Sequence, residues 1–289
     1  MDAAASTTRI SLIPADLLRR IPGCADGRPP RQIVVLAGGG QVNRCLGVDT
    51  SEGRFVLRLR LDTAARPGAI GQHELDSQRV AAAAGLAPRI LDCARNAAWV
   101  LMEFVPGRMW QRGDLTGRPA VLALGNRLAL LHTLVPPPTV PLLGVMQIAS
   151  GQIEAIERRE PAAGGELARI AAQAAELADL CNSLSRRPAL NHGDLNVANL
   201  LGPAPMLVDW EYAQVADPLY DIACLLSYYP ELQPRLDWLL GPSGLDEPRA
   251  RRALEAYQLL FTLFNQLWAR AQGQAHGDAA GLVPVRPAE

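Results

Sequence analysis

The sequence predicts an α+β protein of two lobes: a small antiparallel sheet with one main helix over residues 1–105, and a larger, mostly helical part over residues 106–289. Two patterns predict it. Apolar and polar residues alternate through roughly the first hundred positions, and apolar residues recur at helical spacing beyond them. Pro106 and Gly107 punctuate the change. At 289 residues and 49% hydrophobic, the chain has enough apolar side chains to fill such a core.

Arg31 to Ala37, Gln41 to Val48 and Arg54 to Arg60 read as three linked strands, with Asp49 to Gly53 supplying turn chemistry between the second and third. His73 to Ala84 is an Ala-rich helix closed by Gly85 at C′ and by Pro88 just beyond. Arg89 to Cys93 and Ala97 to Val105 complete the sheet. After the linker, Pro119 to Leu134 forms an amphipathic helix stopped by Pro136, Pro137 and Pro138, and Gly165 to Arg186 forms another, broken by Pro188. Helical segments follow near Pro218 to Tyr229 and Arg249 to Gln272. The Gly-, Ala- and Pro-rich stretch from about 273 reads as a mobile tail, and Met1 to Thr8 as a short disordered one.

Composition narrows the function. The net charge of −1, without a long basic run, leaves no surface for wrapping nucleic acid or docking on an anionic membrane, so small molecules are the expected partners. Five scattered cysteines with no C-x-x-C pair suit reduced thiols and a cytoplasmic location. The amino terminus lacks an apolar h-region, and no apolar run reaches the ~18 residues of a membrane span. All 28 basic residues are Arg, which removes P-loop nucleotide hydrolases, because those need a lysine on the β/γ-phosphates.

Asn191 to Asp209, NHGDLNVANLLGPAPMLVD, places an Asp five residues before an Asn, with a second Asp after a tight hairpin. Asp194 can accept the proton of an attacking hydroxyl. The side-chain carbonyl of Asn199 and the carboxylate of Asp209 offer hard oxygen ligands for Mg²⁺ on nucleotide phosphates. Leu200 and Leu201 can run out, Gly202 to Pro205 turn, and Met206 to Val208 return, which brings Asp209 back beside Asn199. Asn and Asp also cap ordinary turns; three such residues at this spacing favour phosphoryl transfer.

This H-G-D-x-x-x-x-N segment resembles the catalytic loop of the aminoglycoside phosphotransferase and choline kinase superfamily, relatives of the protein kinases. The protein-kinase form is H-R-D-x-x-x-x-N followed by D-F-G, whereas this chain carries Gly193 in place of the Arg and Asp209-Trp210-Glu211 in place of D-F-G, with no A-P-E sequence after it. The resemblance implies a protein-kinase-like bilobal fold, an ATP- and Mg²⁺-dependent transfer to a small-molecule hydroxyl, and no switching by activation-loop phosphorylation.

It also implies further site residues. Gly38, Gly39 and Gly40 followed by Asn43 fall where the family covers the phosphates, although a hairpin turn uses the same residues. Arg58 stands where protein kinases carry lysine, Val56 on the same strand face would roof the adenine, and Glu74 is placed to pair with Arg58. Arg58 and Glu74 could equally be solvated surface charges. Leu101 to Gly107 resembles the hinge, with backbone groups near Glu103 and Val105 facing the adenine edge and Met102 at the back; as strand core these residues would be unremarked. His192, Asp217 and Asp221 resemble residues that brace the loop, His132 reads as structural, and His73 and His276 give no pattern.

Trp210, Glu211 and Tyr212, with Tyr228, Tyr229, Tyr257 and Trp268, suit a cationic substrate through cation-π and carboxylate contacts, and core packing is the competing explanation. The motif style resembles bacterial choline and thiamine kinase-like proteins. An aminoglycoside or other small-molecule kinase, a nucleotide-binding pseudokinase, and an unrelated enzyme with an incidental motif remain the alternatives.

Overall fold

The computed structural model describes residues 13–36, 43–61, 71–184, 187–245, 248–271 and 273. Gly38, Gly39, Gly40, His276 and both terminal tails lie outside these residues.

Five strands, β1 (Gln32–Val35), β2 (Asn43–Asp49), β3 (Arg54–Arg60), β4 (Ile90–Cys93) and β5 (Trp99–Glu103), form one antiparallel sheet in the order β1-β2-β3-β5-β4. The β2–β3 turn closes as expected: Thr50 N–H donates to Gly53 O at 2.8 Å, and Gly53 takes φ +142°, which favours glycine. Side chains of a strand alternate between faces. Leu57 therefore enters the outer core with Leu46, Val48 and Leu101, while Arg58 points the other way.

That outer core is roofed by Ile13, Leu17 and Ile21, which lie before, on and after the short helix α1 (Ala15–Leu18), an element the sequence reading did not identify. On the opposite face lies α2 (Gln72–Ala83), whose Leu75 packs on Val100 and Ala97. Its end follows the sequence pattern: Gly85 has φ +71°, and Leu86 N–H reaches back to Ala81 O at 2.8 Å, the Schellman arrangement.

The second lobe holds α3 (Arg118–Leu131), α4 (Gly144–Arg159), α5 (Gly164–Leu184), α6 (Leu219–Tyr228), α7 (Leu236–Leu240) and α8 (Pro248–Ala271). Helix α3 stops three residues short of the expected Leu134, because the chain tightens into turns at Thr133 and Leu134 ahead of the prolines. Helix α4 went unrecognised behind Pro141, although Val145, Ala149, Gln152 and Ile156 are buried along one of its faces. Helix α6 is buried from Leu219 to Leu226 and packs against α8, so it forms the axis of the lobe. Two small two-stranded sheets, β6 (Ala189–Asn191) with β9 (Gln214–Ala216) and β7 (Leu200–Leu201) with β8 (Met206–Leu207), hold the motif segment against this axis.

No helix among the described residues is long and apolar enough to cross a membrane. All five cysteines are free.

Candidate active site

The motif segment leaves β6, turns at Gly193, runs through Asp194 and Asn199 into β7, and returns along β8 to Asp209. The expected hairpin forms, and Val208 N–H donates to Asn199 O at 3.1 Å, which sets the residue preceding Asp209 beside Asn199. Gly193 has φ +83°, and a Cβ there would lie 2.1 Å from Tyr212 O. No side chain fits, so the position that protein kinases give to Arg is closed here by backbone.

Asp194 is held on both oxygens. Its Oδ2 accepts from Asn196 Nδ2 and Asn199 Nδ2, both at 3.1 Å, and its Oδ1 accepts from the Tyr228 hydroxyl at 2.9 Å. Asn199 Nδ2 also donates to Asp194 O at 2.9 Å, which turns its Oδ1 away from Asp194. Behind the loop, Asp221 accepts from His192 N–H at 3.0 Å and Gly193 N–H at 2.9 Å and meets His132 Nε2 at 3.1 Å, so the bracing expected of His192 and Asp221 is present in the geometry. His192 Nε2 lies 2.9 Å from Val208 O, which assigns the ring proton to Nε2. Asp217 Oδ1 accepts from Leu219 N–H at the start of α6.

Facing this loop across the interlobe cleft, Arg58 is 7% exposed and Glu74 is fully buried, and they form a direct ion pair. Solvated surface charges are thereby excluded. Glu74 has a second partner that the sequence reading missed, Arg60 Nη2 at 3.1 Å; the two Arg on one strand face were legible by their spacing of two. Arg58 Nη1 lies 3.6 Å from Asp209 Oδ1, and Arg58 Nη2 has no hydrogen-bond partner among the described residues. Asp209 Oδ1 is likewise without a hydrogen-bond partner there, although Asp209 keeps a third of its side chain open to the cleft. Burial pushes its pKa up; Arg58 opposes that shift, and the negative charges of Glu74 and Asp194 reinforce it.

The cleft has a volume of about 450 Å³. Asn43, Val56, Met102, Glu103 and Val105 all line it, together with Cys45, whose thiol is pushed up to about 11 mainly by desolvation. Glu103 contributes no free carboxylate: Oε1 accepts from Arg89 N–H at 3.0 Å and Oε2 from Arg89 Nε at 2.7 Å. Met102 Sδ accepts from Gln78 Nε2 at 3.1 Å, which fixes the back wall.

Substrate contact by Trp210 is corrected. It is fully buried, its ring packs 4.8 Å from that of His192, and its Nε1 donates to Leu207 O, so no face is left for a ligand. Tyr257 is core as well, edge-on to Tyr220. Glu211, Tyr212 and Tyr228 are half-buried; Tyr228 lies against Asp194, and Tyr212 is its neighbour. Tyr229 accepts from Val197 N–H at 2.9 Å and so pins the loop.

Could the site hold a divalent cation? No cluster of three or more His, Cys, Asp or Glu suited to a metal occurs among the described residues. A transition-metal centre is not what the motif requires. Mg²⁺ takes one or two protein oxygens and completes its shell with phosphate and water, and Asp209 Oδ1, which accepts no hydrogen bond among the described residues, fits that donor set with Asn199 Oδ1.

The family model of the phosphotransferase enzyme family matches residues 33–270. No curated protein sequence matches the chain. Among solved structures, the fold is similar to a choline/ethanolamine kinase family protein from Mesorhizobium loti, at 20% identity over 89% of this chain and 84% of that one, with TM-score 0.68. It is similar to choline kinase LicA from Streptococcus pneumoniae at 15% identity, 89% and 90% coverage, and TM-score 0.69. A spectinomycin phosphotransferase solved in complex with ADP and spectinomycin matches at 10% identity, 88% and 87% coverage, and TM-score 0.56. With its two lobes, its H-G-D loop and a family match spanning nearly all described residues, the chain belongs to the phosphotransferase enzyme family and shares the fold of the kinases named above.

Proposed function

We propose that the chain transfers the γ-phosphate of ATP to a hydroxyl of a small cationic alcohol, choline-, ethanolamine- or thiamine-like, in a reducing, cytoplasmic setting. The observation that carries this reading is that Asn199, hydrogen-bonded to Asp194, lines one cleft with Asp209 and Arg58.

In this reading, Val56, Met102 and the Glu103 to Val105 backbone hold the adenine, and Arg58 offers its unpartnered Nη2 to phosphate oxygen while Glu74 holds the guanidinium in place. Asn43, which lines the cleft, serves the phosphates. Asn199 and Asp209 hold Mg²⁺, which supplies positive charge where phosphate charge is rearranged. Asp194 orients the acceptor hydroxyl and takes its proton as the acceptor oxygen bonds to phosphorus; the β–γ bridging P–O bond breaks, and its electron pair leaves with ADP. Tyr212, half-buried beside the Tyr228 that holds that carboxylate, suits a cationic acceptor, with Glu211 next to it in sequence.

The test is incubation with ATP and Mg²⁺ against choline, ethanolamine, thiamine, homoserine, methylthioribose and aminoglycosides, following ADP release together with phosphorylated product. Asp194→Ala is expected to lower turnover by about 10²- to 10⁴-fold while ATP binding survives. ATP binding without product from any alcohol would instead mark a pseudokinase, and an aminoglycoside as sole acceptor would overturn the substrate class alone.

A further inference from the structure

Helix α6 presents three side chains at the spacing of one helical face: Asp221, Cys224 and Tyr228, at i, i+3 and i+7. Each meets a successive part of the catalytic loop. Asp221 accepts from the backbone N–H groups of His192 and Gly193, Cys224 Sγ accepts from Leu195 N–H at 3.0 Å, and Tyr228 donates its hydroxyl proton to Asp194 Oδ1 at 2.9 Å. The first two hold backbone, as a structural strut does. Tyr228 alone holds the reactive carboxylate.

The hydrogen bonds on Asp194 are unequal. An ionised carboxylate offers about two acceptor positions per oxygen. Oδ2 has two amide donors, Asn196 and Asn199, so it is filled; Oδ1 has one among the described residues, Tyr228, so one position stays open. Tyr228 is itself fixed: its ring stands edge-on to Phe261 at 5.3 Å, and the adjacent Tyr229 is tied to Val197 N–H. A phenol has one hydroxyl proton, and this one is directed to Oδ1. Burial and the neighbouring Asp194 charge raise its pKa, so it stays a donor.

We infer that Tyr228 is a positioning residue for phosphoryl transfer: its hydroxyl aims Asp194 so that Oδ1, through its remaining acceptor position, receives the proton of the acceptor alcohol. The inference rests on the reading of Asp194 as the proton acceptor. It also changes the role of Tyr228, whose hydroxyl is committed to the carboxylate instead of to the substrate.

The experiment compares wild type, Tyr228→Phe, Tyr228→Leu, Asp194→Asn and Asp194→Asn/Tyr228→Phe. It uses Mg²⁺, ATP and the panel alcohol that wild type phosphorylates, with rates normalised to ATP-binding sites so that poorly folded protein does not count. A hydrogen bond to a charged group predicts a loss of about 10- to 100-fold in kcat for Tyr228→Phe, with KM for ATP changed less than about twofold. Tyr228→Leu should have the same kcat as Tyr228→Phe although it melts at a lower temperature, because turnover follows the hydroxyl and stability follows the ring. The double variant should be no slower than Asp194→Asn. Wild-type kcat in Tyr228→Phe, or an equal further loss on the Asp194→Asn background, overturns the inference. Wild-type turnover in Asp194→Asn overturns the reading of Asp194 beneath it.

Discussion

Replacing Gly193 by Ala tests the loop geometry with one methyl group. At φ +83° an L-residue is strained by about 1–2 kcal/mol. The larger effect is steric. The new Cβ would stand 2.1 Å from Tyr212 O and 2.9 Å from Tyr212 C, both backbone atoms with no side-chain freedom. Relief to an ordinary contact of about 3.4 Å needs a movement of more than about one ångström between two segments. One carries Asp194, the next residue; the other follows Asp209 by three. The displacement therefore falls between the proposed proton acceptor and the proposed metal ligand, where an error of about 1 Å costs on the order of 10²-fold in rate. The clash lies in the second lobe, so ATP affinity should fall less than turnover. The assay is steady-state ADP release with the acceptor, beside an ATP titration followed by thermal shift. Gly165→Ala is the control, since no atom lies within 4 Å of its would-be Cβ and Ala favours the first turn of α5. Wild-type kcat in Gly193→Ala would refute the argument that backbone contact closes this position.

Two further predictions concern the cleft wall. Glu74→Gln leaves Arg58 and Arg60 without their shared carboxylate at a fully buried site, and loss of a buried partner costs about 3–5 kcal/mol, so chemical denaturation should show a clear loss of stability together with a raised KM for ATP. Unchanged stability would mean that neither arginine depends on the pair. Cys45, with its thiol pushed up to about 11 by burial, is protonated at neutral pH, and its thiolate fraction rises as pH climbs toward that value. Two units above the usual thiol range is about 100-fold less thiolate at pH 8, so iodoacetamide labelling should be slow, still rising between pH 9 and 10, and blocked by ATP. A rate that levels off below pH 9, read by mass spectrometry of the Cys45 peptide, contradicts the assigned burial.

Local pattern was enough for much of this protein. Alternation in RFVLRLR put Leu57 and Arg58 on opposite faces, Gly85 ended α2, the Leu200 to Val208 stretch folded back as a hairpin, and the spacing of Asp194, Asn199 and Asp209 marked the candidate site, because each depends on backbone geometry within a few residues. Burial and long-range partnership were settled only by tertiary structure. Trp210 looked like a ligand contact and is core; Tyr228 looked like substrate recognition and reaches Asp194 across 34 residues; the hold of Arg89 on the Glu103 carboxylate left no mark in the sequence. A side chain's chemistry is written in its own residue, but what occupies its hydrogen bonds depends on segments brought together by packing, and that pairing has no local periodicity to read.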